Sequence, residues 1–286
     1  MAVFTCIKAM SKPENNSVSI ESTGVSSRAA VRRWHDHAEE WLTGALGRFL
    51  EYGCGSCLLT TRVAHRCDKC FGVDVDEKKI ESARERFPEY ELSVIGFDGR
   101  TSFASDYFDT AAIIEVIEHV PNERVALEEL TRVLKPGGRL VLTTPHRGLL
   151  TFLDAGNFKF AFPRLHRFIH VRLRGSRDEY EERFLRVSER GMVGDITATG
   201  SRRPWHRHYT PQQIMYFCPR DLVCEKYGVF FPAMRALILF RLVLRVCTFD
   251  RVKSLFWPFS WLERRLSRIE SRFGDQLVML FRKKES

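Results

Sequence analysis

Glu51-Tyr52-Gly53-Cys54-Gly55 is the stretch on which the reading of this 286-residue chain turns. It closes a short apolar run, Arg48 to Tyr52, and opens a helical segment, Ser56 to Ala64, so it reads as a tight strand-to-helix turn. Glycines at such a turn let the backbone approach a ligand closely. In an open parallel sheet the ligand sits at the carboxyl end of the first strand, where the strand order reverses. A pyrophosphate cradle wants a third glycine, and that position is Leu58. Glu51 would also repel a phosphate, whereas its carboxylate suits an ammonium group.

Working outward, strands and helices alternate. Strand Phe71 to Val75 follows the first helix, then helix Glu77 to Phe87, strand Glu91 to Ile95, strand Thr110 to Val116 and helix Asn122 to Leu134. Pro136-Gly137-Gly138 then turns the chain into strand Leu140 to Thr144. Alternation of this kind means βαβ units and a parallel sheet. It resumes with helix Pro211 to Phe217, strand Leu222 to Phe230, two basic helices and a last strand, Gln276 to Phe281. The expected fold is α/β: a Rossmann-like, seven-stranded, mostly parallel sheet with helices on both faces, the last strand antiparallel, and a capping insertion. Residues 1–25 are polar and aperiodic and are expected to be a disordered leader. Residues 26–286 form the single domain, with 147–209 as the capping insertion over the carboxyl ends of the strands and 232–273 as basic amphipathic helices. Ahead of the first strand, Trp34, His37, Ala38, Trp41 and Leu42 mark a helical stripe expected to pack on the core and help cover the ligand.

The second strand ends in Gly72-Val73-Asp74, where an acidic side chain can accept hydrogen bonds from both ribose hydroxyls, with Asp76 as the substitute. With Glu51 facing an ammonium, this favours S-adenosylmethionine over a dinucleotide. At this point the chain resembles the class I S-adenosylmethionine-dependent methyltransferases: the acidic-x-Gly-x-Gly turn, Asp74, Gly96-Phe97-Asp98-Gly99, Phe108-Asp109, Glu115-Val116-Ile117-Glu118-His119-Val120 and Leu134-Lys135-Pro136-Gly137-Gly138 occur in the family's order. The likeness is close from Arg48 to His146 and looser beyond. It implies a cofactor site of Glu51, Gly53, Gly55, Asp74, Val75, Phe97, Asp98 and Glu115, with Asp98 on the adenine. One departure stands beside the turn, since the family usually has a further glycine where this chain has Cys57.

Glu115, Glu118 and His119 cluster at the end of the fourth strand. Their pattern is similar to one in ubiquinone-pathway O-methyltransferases and small-RNA 2′-O-methyltransferases, some of which hold a metal there, and His206 or His208 would then complete the ligand set. The reading adopted is metal-free, with His119 or His146 as the catalytic base, because a neutral imidazole titrates near working pH. Cys54-x-x-Cys57 and Cys67-x-x-Cys70 have zinc-ligand types, but a helix between them places one pair at each end of the sheet.

Charge is divided unevenly. Residues 1–150 carry 19 Lys and Arg against 22 Asp and Glu, and residues 151–286 carry 26 against 14. The basic half, with Phe158, Phe160, Phe162, Leu165, Phe168 and Ile169 among Lys159, Arg164, Arg167, Arg172 and Arg174, suits an anionic membrane surface better than nucleic acid, for which no binding-module signature is present. The apolar stretch Val229 to Val246 is interrupted by Pro232, Arg235, Arg241 and Arg245, so no spanning helix is expected. Eight scattered cysteines without a recognisable signal peptide point to the reducing cytoplasm, with a peripheral membrane location. The expected acceptor is a hydroxyl on a small or lipid-linked molecule, the alternatives being RNA methylation and cofactor binding without catalysis.

Overall fold

The computed structural model describes residues 35–148, 151, 162–174, 177–178, 207–232, 237, 240, 262, 265–266 and 268–285. In chain order it contains α1 (35–41), β1 (Gly47–Tyr52), α2 (Leu58–Val63), a 3-10 turn Ala64–Arg66, β2 (Cys67–Asp74), α3 (Glu77–Arg86), β3 (Glu91–Val94), β4 (Phe108–Ile114), α4 (Glu123–Val133), β5 (Leu134–Pro145), α5 (Pro163–Arg174), α6 (Pro211–Phe217), β6 (Leu222–Pro232) and β7 (Gly274–Lys283). The seven strands form one sheet in the order β3-β2-β1-β4-β5-β7-β6. β1 pairs in parallel with β2 and β4, β2 with β3, and β4 with β5, while β7 runs antiparallel to both β5 and β6. This is the expected sheet, with the strand order reversing between β1 and β4.

Central strands of a parallel sheet are covered on both faces and so read as near-continuous apolar runs. One face carries Leu50, Tyr52, Phe71, Val73, Ala111, Ile113, Leu140 and Leu142 under α4 and α6. The other carries Phe49, Ala112, Ile114 and Val141 against α1 and α2. Each of the fully buried large side chains contributes roughly 1.5–3 kcal/mol of transfer free energy. The helices start where their caps place them. Asp76 accepts from Lys79 N, Asn122 accepts from Arg124 N and Val125 N, and Thr210 and Gln213 form a reciprocal capping box ahead of α6.

Several boundaries differ from expectation for identifiable reasons. α2 begins at Leu58 rather than Ser56, because Cys57 has φ 58° and ψ 38°, a left-handed conformation outside the helix. β2 begins at Cys67 rather than Phe71, because its first residues pair with the start of β1 across a register shift beside Gly47. Pro136-Gly137-Gly138 does not turn the chain into a separate strand. It lies within β5, which leaves α4 directly and pairs Leu134 with Phe108 before the register shifts to Arg139 opposite Thr110. α1 packs through Ala38 and Leu42 against Phe230 and Phe231 of β6, with the His37 ring stacked on Phe230 at 4.1 Å. It therefore seals the second face of the sheet and covers no part of the cavity described below. The leader 1–25, Trp34, most of 147–209 and most of 232–273 lie outside the described residues.

Candidate functional site

The carboxyl ends of β1, β2 and β4 open into a cavity of about 750 Å³. Its floor is the opening turn. Gly53 N and Cys54 N both donate to Val73 O, at 2.7 and 3.0 Å, which hangs the turn on β2. Gly53 has φ 77°, and a Cβ there would collide with the side chain of Val116 on the opposite wall. Gly55 has φ 50°, and a Cβ there would make only ordinary contacts, with Asp74 and Lys79 at 3.9 Å. Of these two turn glycines, Gly53 alone combines a left-handed backbone with close packing.

Asp74 stands at the end of β2 beside the turn. Its Oδ2 accepts from Gly55 N at 2.8 Å and its Oδ1 from Asp76 N at 2.9 Å, so the carboxylate is fixed by backbone with lone pairs left for a ligand. Val75 and Phe97 line the cavity, and Phe97 is 58 % exposed, an apolar platform of the kind a planar ring covers. Asp98 lies next to it, accepting from Arg100 N at 3.2 Å. The Tyr52 hydroxyl donates to Gly99 O at 2.8 Å and ties this loop to β1, and burial raises the phenol above its ordinary range.

The facing wall follows β4. Glu115 has φ 55°, which ends the strand and bends the chain over the cavity. Its carboxylate accepts from the Thr143 hydroxyl at 2.9 Å and from the Gln276 amide. Glu118 is turned the other way, fully buried, accepting from the Thr144 hydroxyl at 3.0 Å. Burial, and then the charge of Glu115, push its carboxyl well above the usual carboxylate range. His119 follows, 40 % exposed, lining the cavity with Nε2 3.8 Å from Glu118 Oε1.

Gly53, Gly55, Asp74, Val75, Phe97, Asp98, Glu115 and His119 are thus brought to one cavity, and two expected site residues are not. Glu51 does not line it. The side chain is buried beneath the turn, and Oε2 accepts from Thr60 N at 2.9 Å and from the Thr60 hydroxyl. Its charge is directed to the first turn of α2, whose cap residue Cys57 supplies no side-chain hydrogen bond. Burial pushes the Glu51 carboxyl up to about 7. His146 is likewise buried away from the cavity, its Nδ1 2.8 Å from Gly274 O and its backbone N donating to Asp275 O. It fixes β5 to the start of β7. His206 lies outside the described residues, and no group of three or more His, Cys, Asp or Glu side chains is gathered for a metal among the described residues. Cys54 and Cys57 belong to the turn while Cys67 opens β2 beside Gly47, at the opposite end of the β1–β2 pair.

The sequence reading missed Lys79, Arg100 and Asn122 along the cavity, and Thr143, Thr144, Gln276 and Arg207 behind it. Arg207 had no motif to announce it, and its neighbours His206 and His208 drew attention as ligands instead.

Residues 50–142 match the profile of the methyltransferase domain family. The ubiquinone biosynthesis O-methyltransferase of Alkalilimnicola ehrlichii is 30 % identical over 125 residues, covering 42 % of this chain and 51 % of that protein. The same enzyme of an Azoarcus species is 28 % identical, covering 44 % and 63 %. The chain thus spans between half and two thirds of the length of these curated relatives. Among solved structures, the [4+2]-cyclase SpnF aligns with TM-score 0.53 at 16 % identity, covering 91 % of this chain and 82 % of its own. An S-adenosylmethionine-dependent methyltransferase from Mesorhizobium loti aligns with TM-score 0.51 at 15 % identity, covering 91 % and 99 %. These two share the fold and differ in named chemistry, so the fold leaves the acceptor open.

Proposed function

We propose that this chain, whose residues 50–142 match the methyltransferase domain family, is a class I S-adenosylmethionine-dependent methyltransferase that transfers the cofactor's methyl group to a hydroxyl on a small or lipid-linked acceptor. The observation that carries the reading is the convergence of Asp74, Asp98, Phe97 and the Gly53–Gly55 floor on one cavity, with His119 on its opposite wall. When bound, S-adenosylmethionine supplies an activated methyl on a sulfonium. Asp74 would take the ribose hydroxyls, and Phe97 and Asp98 the adenine. Glu115, anchored by Thr143 and Gln276, offers the negative charge at the cavity that Glu51 does not. His119 would accept the hydroxyl proton, its Nε2 lying 3.8 Å from Glu118 Oε1. Alignment of the acceptor by the cavity walls would supply much of the rate.

α5 supports a lipid-linked acceptor. Phe162, Leu165 and Phe168 are exposed, Phe168 by 62 %, on or beside a helix that carries Arg164, Arg167 and Arg172 and no acidic residue. Exposed aromatics among arginines suit the headgroup region of an anionic bilayer. No described helix is long and apolar enough to cross a membrane. Calorimetry with S-adenosylhomocysteine tests the cofactor, and labelled methyl transfer into a cell extract, separated into lipid, RNA, protein and small-molecule fractions, tests the acceptor. Label in lipid or small molecules is the expected result, and label in RNA alone would overturn it. Flotation with anionic vesicles at low salt should be lost in Phe168→Asp, and wild-type protein that stays at the bottom refutes the membrane part.

A further inference from the structure

The segment between β4 and α4 forms one wall of the cavity yet belongs to no helix or strand, so the carbonyl oxygens of Glu118 and Val120 have no ladder to join. Arg207, distant in sequence and 9 % exposed, supplies the donors. Its Nε donates to Glu118 O at 2.7 Å, its Nη2 donates to Val120 O, and its Nη1 donates to Glu123 Oε1 at 2.6 Å. The Tyr209 hydroxyl donates to the same Glu123 oxygen at 2.8 Å. Glu118 and Val120 are the residues on either side of His119. One planar guanidinium therefore spans the backbone around the cavity histidine and fastens it to the first turn of α4.

Resting on the methyltransferase reading, the geometry points to Arg207 as a positioning residue for transfer: it fixes His119 and the adjoining cavity wall through the carbonyls of Glu118 and Val120. Glu123 and Tyr209 hold the guanidinium in the plane that reaches both carbonyls, and a lysine ammonium cannot reproduce that fork. Arg207 lies at the near end of the sequence stretch that separates β5 from α6. The latch thus ties the chain returning from that stretch to the wall that carries His119.

The test uses the full chain with isotope-labelled histidine rings, the His119 signal being assigned by its loss in His119→Gln. In Arg207→Ala the His119 resonance should move or broaden, and S-adenosylhomocysteine affinity should fall by about tenfold, equivalent to about 1.4 kcal/mol. Millimolar guanidinium should restore both, and Arg207→Lys should restore neither. A His119 signal and an affinity unchanged from wild type in Arg207→Ala overturn the proposal. Should that variant fail to fold, Glu123→Gln removes the charge opposite the guanidinium and should displace the His119 signal in the same way, an unchanged signal again being fatal. Wild-type protein that does not bind S-adenosylhomocysteine sinks the methyltransferase reading instead, and the latch is then judged on the His119 signal alone.

Discussion

Replacing Glu51 by Gln separates two roles for the acidic residue of the opening turn. Burial, opposed by hydrogen bonds from Thr60 and Leu59 and assisted by the charge of Asp74, raises its carboxyl from the ordinary 4.5 to about 7. Between those pH values the unfolded chain has released the proton and the folded chain still holds it. Stability therefore falls as pH rises through the window, by about 3 kcal/mol at roughly 1.36 kcal/mol per pH unit. In Glu51→Gln nothing titrates at this position. The amide must set an NH2 group among donors, which adds an offset that is the same at every pH. Urea unfolding of both proteins from pH 4.5 to pH 8 should show the variant gaining on wild type by about 3 kcal/mol, most of it above pH 5. A difference that stays flat across this range refutes the burial argument. S-adenosylhomocysteine affinity should change by less than about threefold, because the side chain is absent from the cavity lining; a loss of tenfold or more, about 1.4 kcal/mol, would return the carboxylate to the cofactor's ammonium.

The two glycines of the turn should respond differently to alanine. Gly53→Ala must accept both the left-handed strain, roughly 1–2 kcal/mol, and a collision with Val116, whereas Gly55→Ala meets the strain alone, and denaturation midpoints should rank them so. Glu129, although burial opposes it, is held down to about 2 by hydrogen bonds from Arg132 and Thr101. Its stabilising contribution should be complete above pH 4.5 and fade as pH falls through about 2, so Glu129→Gln should cost most near neutrality in pH-dependent melting. His119→Gln should slow methyl transfer by about 10²–10⁴ while cofactor binding persists. His146→Gln should lower thermal stability through the lost Gly274 contact and leave the transfer rate of folded protein within about threefold.

The parallel core was legible because strands buried on both faces write themselves as apolar runs: Phe49-Leu50 and Ala111 to Ile114 leave little choice. Asp74, Asp98 and the glycines were legible because they sit at element ends, where spacing alone fixes their place. The direction of a side chain was not. Glu51 is on a strand, and alternation alone does not say which of its neighbours, an ammonium in the cavity or the amides of α2, takes the carboxylate. His146 falls at the expected end of β5, but its ring follows β7, which arrives from more than a hundred residues later. Arg207 is set by contacts with groups 84 to 89 residues earlier in the chain, of which two are backbone carbonyls and carry no sequence signal. The left-handed Cys57 explains why α2 begins later than its composition suggests.

The pairing of β1 with β4, Phe49 opposite Thr110, joins segments that the chain synthesises far apart. The first delivers Gly53, Gly55, Asp74, Phe97 and Asp98; the second delivers Glu115, Val116, His119 and Asn122. A polypeptide released before β4 emerges holds only half of the binding surface. Ligand occupancy is therefore a reporter of folding order, since loop closure on this scale is slow and the two halves meet only when the centre of the sheet is complete. Cofactor protection in a refolding time course should appear together with protection of the β4 amides, and not with those of β2 and β3.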